Sequence, residues 1–112
     1  LAKCCFYINN TLHGEYRYWN TEGQLLENLY YINDKLNGEF RYWCRRGTLL
    51  SHGFHKNDSR HGNYKKWYSN GQLCSCKFYD HGILEGDYKR WHSDGNFHYH
   101  KVYLNGECIN VV

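Results

Sequence analysis

The chain has 112 residues, 41% of them hydrophobic, a formal net charge of +3, and no apolar run near the roughly 18 residues a membrane helix needs. That length allows one small domain, and so mild a basic excess does not by itself announce a nucleic acid or an anionic membrane. Twelve Tyr, five Phe and four Trp stand against no Met and no Pro, so the core is expected to be built of amphipathic rings, which suit half-buried pleated strands better than helices.

Residues 1–13 read as half of a repeating unit. Cys4 aligns with Asn28 at a spacing of 24, so the chain is expected to open in the second strand of a truncated unit, with Phe6 and Tyr7 as its ring pair. A start at Leu1 is expected of a fragment, a processed form or part of a longer polypeptide. The N-terminus lacks the charged, apolar and small-residue succession of a signal peptide.

The first full unit, 14–37, runs Gly14-Glu15-Tyr16-Arg17-Tyr18-Trp19, a turn over 20–23 ending at Gly23, Leu25, and the ring pair Tyr30-Tyr31. The second, 38–61, repeats it as Gly38-Glu39-Phe40-Arg41-Tyr42-Trp43, Gly47, Leu49 and Phe54-His55. The third, 62–85, gives Gly62-Asn63-Tyr64-Lys65-Lys66-Trp67, Gly71, Leu73 and Phe78-Tyr79. The fourth, 86–109, gives Gly86-Asp87-Tyr88-Lys89-Arg90-Trp91, Gly95, Phe97 and Val102-Tyr103. A fifth start at 110–112 has Asn110 where the anchor glycine would stand. The period is 24 throughout, the mark of a tandem array.

Each unit divides into two ring-rich runs bounded by turn residues, which predicts a hairpin. In the first turn, Asn70-Gly71 and Asp94-Gly95 are strong hairpin dipeptides, because Gly accepts positive φ without a Cβ clash. The second connection, as in 33–38, is expected to be longer but still too short for a parallel crossover. The predicted fold is all-β: a single-layer, twisted, antiparallel meander, with roughly nine strands and about 40–45 Å of length at ~4.8 Å per strand.

The motif of Gly14-Glu15-Tyr16 to Trp19 followed by Gly23-Gln24-Leu25, and of Gly62 to Trp67 followed by Gly71-Gln72-Leu73, resembles the MORN repeat. It is closest to the variant found in bacterial proteins labelled as toxin–antitoxin components and common in large DNA viruses. Asn63 and Asp87 for Glu, Gly47-Thr48 for Gly-Gln, and Phe97 for Leu depart from it. The resemblance implies a scaffold of hairpins used in protein interaction, dimerisation and, for some members, membrane-lipid contact.

Strand alternation puts Glu15, Arg17 and Trp19 on one face and Tyr16 and Tyr18 on the other. By repetition, an acidic ladder (Glu15, Glu39, Asn63, Asp87) runs beside a basic ladder (Arg17, Arg41, Lys65, Lys89). The bland reading is a solvated row of weak ion pairs. The sharper one joins the basic ladder with Lys66, Arg90, Arg45 and Arg46 as a surface for phosphates, in nucleic acid or anionic lipid.

The six cysteines (4, 5, 44, 74, 76 and 108) hold no C-x-x-C pair and no fixed column, so reduced thiols and a reducing compartment are expected. The metal candidate is Cys74 and Cys76 with His98 and His100, which share parity in equivalent strands. Equivalent strands lie roughly 9–10 Å apart, which opposes convergence on one ion. Polar residues that repeat instead of converging argue against an enzyme, and no cofactor is expected.

The function expected is a non-catalytic scaffold, intracellular and soluble or built into a virion or other large assembly, with a protein partner or self-association. Its contacts are assigned to aromatic ladders (Tyr16, Phe40, Tyr64, Tyr88; Trp19, Trp43, Trp67, Trp91) and to the sheet edges. An antitoxin or immunity module, a virion component, and a lipid or nucleic-acid adaptor are the alternatives.

Overall fold

Alternating rings and polar residues between Asn- and Gly-rich turns produce strands, and all regular structure is β in the computed structural model, which describes residues 2–112. The strands are β1 (Ala2–Cys4), β2 (Tyr7–Ile8), β3 (Thr11–Leu12), β4 (Gly14–Trp19), β5 (Leu25–Ile32), β6 (Lys35–Leu36), β7 (Gly38–Trp43) and β8 (Leu49–Lys56). They continue as β9 (Ser59–Arg60), β10 (Gly62–Trp67), β11 (Leu73–Asp80), β12 (Ile83–Leu84), β13 (Gly86–Trp91), β14 (Phe97–Leu104) and β15 (Glu107–Val111).

The main sheet follows the order β1-β4-β5-β7-β8-β10-β11-β13-β14-β15, antiparallel throughout, while the short arms β6, β9 and β12 pair with β5, β8 and β11. Strand β15 folds back on β14 and extends the expected nine strands. The plate measures 48 × 32 × 12 Å, thin enough for a single layer. Cys4 pairs with Arg17 as Asn28 pairs with Arg41, so the two residues occupy equivalent places in the sheet.

The two turns depart from expectation. Within a unit, the chain reverses through a wider loop: the Gly23 N–H donates to the Asn20 carbonyl at 3.1 Å, and the Asn20 N–H donates to Gln24 at 2.9 Å. Gly23 closes this loop at φ +81°, a conformation that costs a residue with a Cβ. Between units the turn is the tighter one. Asn33 and Asp34 hold φ of 50° and 65°, the two-residue type I′ turn whose twist matches the strands it joins. Asn57-Asp58, His81-Gly82 and Asn105-Gly106 do the same. The connection looked longer because the arm after each turn pairs for only two residues before a bulge at the anchor glycine. Gly38, at φ +105°, makes that bulge, with room for a Cβ limited by Tyr30 Cβ at 3.4 Å.

A second irregularity recurs in the long strands. Tyr18 pairs with Glu27 but Trp19 with Leu25, so Leu26 is an extra residue; Leu50, Cys74 and His98 occupy the same place in later units. Such a bulge leaves its residue outside the ladder and sharpens the twist.

Successive turns also stack on one another along one long edge. The Asp58 N–H donates to the Leu36 carbonyl at 2.9 Å, and the Leu36 N–H donates to Asp58 Oδ1 at 2.7 Å. Leu12 and Asp34 repeat this reciprocal pair. With Gly82 and Gly106 in that place, only the backbone half survives, to Arg60 at 2.7 Å and to Leu84 at 2.9 Å.

The core is one row on one face. Cross-strand register sets Tyr16 opposite Leu29, Phe40 opposite Gly53, Tyr64 opposite Lys77 and Tyr88 opposite Lys101. Leu29, Phe40 and Tyr64 form the buried cluster, with Tyr16, Tyr31, Leu36, Tyr42 and Tyr79 packed against it. The spacer decides how the rings meet. Over Gly53 the Phe40 and Tyr64 rings approach to 5.6 Å. Between Tyr64 and Tyr88 stands Lys77, its ammonium 5.6 Å and 4.9 Å from the two centroids, a cation–π arrangement.

Candidate interaction surface

The opposite face is built differently. Its strand residues are Glu15, Arg17 and Trp19 and their repeats, facing Asn28 and Tyr30, His52 and Phe54, Cys76 and Phe78, and His100 and Val102. The ring is open to solvent in the opening half unit and the first three units, where Phe6 is 56% exposed, Tyr30 36%, Phe54 39% and Phe78 39%; the fourth unit has Val102 in its place. No comparable row of exposed rings occurs on the core face among the described residues, where Phe40 and Tyr64 are buried.

Beside Tyr30, Phe54 and Phe78 lies a shallow recess, and its lining repeats. One is bounded by Tyr30, Gly38 and Glu39, the next by Phe54, Gly62 and Asn63, the third by Phe78, Gly86 and Asp87. Each is floored by the bulge glycine, where the strand offers no side chain to fill the gap. At two strand spacings per unit, the recesses recur at roughly 9–10 Å.

The acidic and basic ladders stand on this face and engage one another. Glu15 pairs with Arg17 at 2.7 Å and accepts from the Tyr30 hydroxyl at 3.0 Å and Asn28 Nδ2 at 3.3 Å. Glu39 pairs with Arg41 and with His52 Nε2, the latter at 3.0 Å. Asp87 meets His100 Nε2 at 2.8 Å. The bond to His52, followed by the field of Arg41, holds the Glu39 carboxyl below its ordinary range. Burial opposes the same shift at Glu15, but the Asn28, Tyr30 and Arg17 contacts prevail. Arg17 and Arg41 are therefore spoken for, whereas Lys65 and Lys89 flank Cys76 across the sheet. Burial pushes the Cys76 thiol up despite those two ammoniums.

The ring ladders divide between the faces. Tyr16, Phe40, Tyr64 and Tyr88 are packing residues of the core row, where the bond between Tyr88 and Tyr99 pushes the Tyr99 hydroxyl up to about 12. Trp19, Trp43, Trp67 and Trp91 are half-buried at the end of the ladder face, each opposite Leu25, Leu49, Leu73 or Phe97. Arg45 and Arg46 lie in the exposed turn before Gly47, away from the ladder. Lys66 and Arg90 alternate onto the core face, opposite Ser75 and Tyr99.

The proposed metal quartet does not assemble. Cys74 and His98 are the bulge residues, so parity does not place them with Cys76 and His100, and Lys89 stands between those two across the sheet. Cys74 is buried, His98 stacks on His92 at 4.2 Å, and His100 is bonded to Asp87. The exposed ring column was visible in the sequence as Phe6, Tyr30, Phe54 and Phe78. What sequence lacked was the bulge at the anchor glycine, which opens a recess beside Tyr30, Phe54 and Phe78.

Comparison with known proteins bears on the repeat and the fold. The family model for the MORN repeat variant matches residues 12–33 and 60–81. No curated protein matches the sequence. Among solved structures, a TarM mutant of S. aureus in complex with fondaparinux, alpha-GlcNAc-glycerol and UDP is similar at 12% identity and a TM-score of 0.52, over 97% of this chain and 21% of that one. A second structure of TarM is similar at 11% identity and a TM-score of 0.50, again over 97% and 21%. The chain thus spans 21% of the length of these proteins, and the likeness is one of fold.

Proposed function

We propose that this chain is a non-catalytic interaction scaffold whose ladder face docks a protein partner, or a second copy of itself, over the row of exposed rings. The observation that carries the proposal is the division of labour between faces. One row of rings is consumed in packing; the other, at the same period, is left 36–56% exposed beside recurring recesses. Exposed apolar rings rimmed by polar groups are the ordinary mark of a docking surface. MORN repeats are in general interaction modules, for proteins or membranes, which agrees with the matches at 12–33 and 60–81. Among the described residues, no helix is long and apolar enough to cross a membrane.

An antitoxin or immunity module and a virion component are both forms of this reading, differing in the partner and not in the surface. The lipid or nucleic-acid adaptor is less well supported, since Arg17 and Arg41 are paired to carboxylates. Site-specific photo-crosslinking tests the proposal. A crosslinker at Phe54 or Phe78 is expected to capture a protein or a second copy, and one at Tyr42 on the core face is not. Capture from Tyr42 alone, or from neither face, overturns it.

A further inference from the structure

Where consecutive hairpin tips stack, the fold brings residue n beside residue n+20. In one unit that contact joins Asn37 Nδ2 to Asn57 Oδ1 at 3.4 Å; in another it joins the Asn105 N–H to Glu85 Oε1 at 2.5 Å. At the third tip the same contact joins two imidazoles, His61 and His81, with ring centroids 4.6 Å apart. The residue before that turn is also unusual: Ile8, Ile32, Lys56 and Leu104 stand where the third unit has Asp80. His81 itself replaces the Asn of every other tip (Asn9, Asn33, Asn57, Asn105) and holds φ +48°, a conformation to which Asn is better suited. Two departures from the repeat, Asp80 and His81, therefore meet beside His61, whose column also holds His13.

We propose that His61, Asp80 and His81 form a binding site for a late first-row divalent metal ion, with Zn²⁺ the natural occupant. One donor atom from each residue lies within 4.8 Å of the others. Asp80 Oδ1 is 2.6 Å from His81 Nδ1 and 3.7 Å from His61 Nδ1, and the His61 Nδ1 lone pair accepts the His81 backbone N–H at 3.1 Å, a bond the ion would replace. Zinc holds imidazole nitrogen at ~2.0–2.1 Å and carboxylate oxygen at ~2.0–2.2 Å, so the donors close on the ion by rotation of side chains at an exposed tip. Two imidazoles and one carboxylate suit Zn²⁺, Co²⁺, Ni²⁺ or Cu²⁺, whereas Ca²⁺ and Mg²⁺ prefer oxygen shells. Nearby, Arg60 does not oppose the ion, its guanidinium being drawn over the Tyr64 ring at 4.6 Å and the Tyr79 ring at 5.7 Å. The ion would clasp two successive hairpin tips and leave a coordination position open to water or to a partner's side chain.

The test is titration of the full chain with Co²⁺, read by d–d absorption, and with Zn²⁺, read by calorimetry and thermal melting. The thiols are competing ligands, so variants decide. His81→Asn restores the residue of the other tips and therefore folds; His61→Asn restores the residue at position 37. Each variant is expected to lose one bound ion per chain and the rise in Tm that Zn²⁺ gives the parent chain. Equal stoichiometry and affinity in parent and both variants would assign the binding to cysteine, and no Co²⁺ or Zn²⁺ bound by the parent would remove the site. Either result overturns the proposal.

Discussion

The Phe40 ring lies over Gly53, directly across the strand pair, so closely that a Cβ built on Gly53 would sit 2.8 Å from Phe40 Cε1 and Cζ and 2.9 Å from Tyr64 Cδ2. Gly53 is one of the few buried backbone positions, and Leu29, Lys77 and Lys101 fill its place in the other units. The missing side chain lets two rings meet where a spacer would otherwise part them, and this is the tightest point of a thin core.

Gly53→Ala is therefore expected to destabilise the fold by about 1–3 kcal/mol, the usual cost of overpacking. The sign is diagnostic, because Gly→Ala at an unstrained position generally stabilises by about 0.4–1 kcal/mol through the unfolded chain. Urea denaturation reads the difference. Pairing it with Phe40→Leu, which frees the space above, should recover part of the loss.

The stacked turns make a second prediction at Asp58, whose side chain and backbone both bond Leu36. Asp58→Asn keeps an acceptor and a residue that tolerates φ +70°, and should be nearly neutral. Asp58→Gly keeps only the conformation, as Gly82 does, and should cost about 0.5–1.5 kcal/mol for the hydrogen bond. Asp58→Ala loses both and should be the least stable of the three. A different rank order in equilibrium unfolding would mean that the turn ladder does not bear on stability.

Acid sensitivity follows from Glu39. Its carboxyl is held low by His52 and then Arg41, so its contribution is present above the unfolded carboxylate value of roughly 4.3. That contribution is lost as pH falls through the lower folded value. The parent chain should lose stability over this acid window more steeply than Glu39→Gln, with the two curves converging at the acid end. Parallel curves would show that the His52 and Arg41 contacts carry no linkage.

The repeat, the strand pairs and the segregation of Glu15, Arg17 and Trp19 from Tyr16 and Tyr18 were all legible from spacing, since a period of 24 and an alternation of two need no structure to be seen. Parity failed where the ladder takes an extra residue. It grouped Cys74 with Cys76 and His98 with His100, but the bulge removes Cys74 and His98 from the alternation. Asn, Asp and Gly mark both connections as turns, but the strong dipeptides Asn70-Gly71 and Asp94-Gly95 point to the tight hairpin within a unit, whereas the type I′ turns fall between units, as at 33–34 and 57–58, where Asn-Asp serves as well as Asn-Gly. The meeting of His61 with His81 depends on hairpin tips stacking between units, which no single unit reveals. Gly53 is not legible from spacing because it breaks its column of Leu29, Lys77 and Lys101, and an exception to a repeat has no period to announce it.

The most direct measurement compares the two faces in one experiment. The Phe54→Ser/Phe78→Ser variant and the Phe40→Ser variant would each be melted, then tested for photo-crosslinked capture from an unchanged ladder-face position, Tyr30, carrying the crosslinker. The account predicts that the double variant retains a cooperative melt but loses capture, and that Phe40→Ser lowers the melting temperature. Retained capture by a folded double variant would contradict the assignment of docking to the exposed rings, and so would a double variant that melts as early as Phe40→Ser.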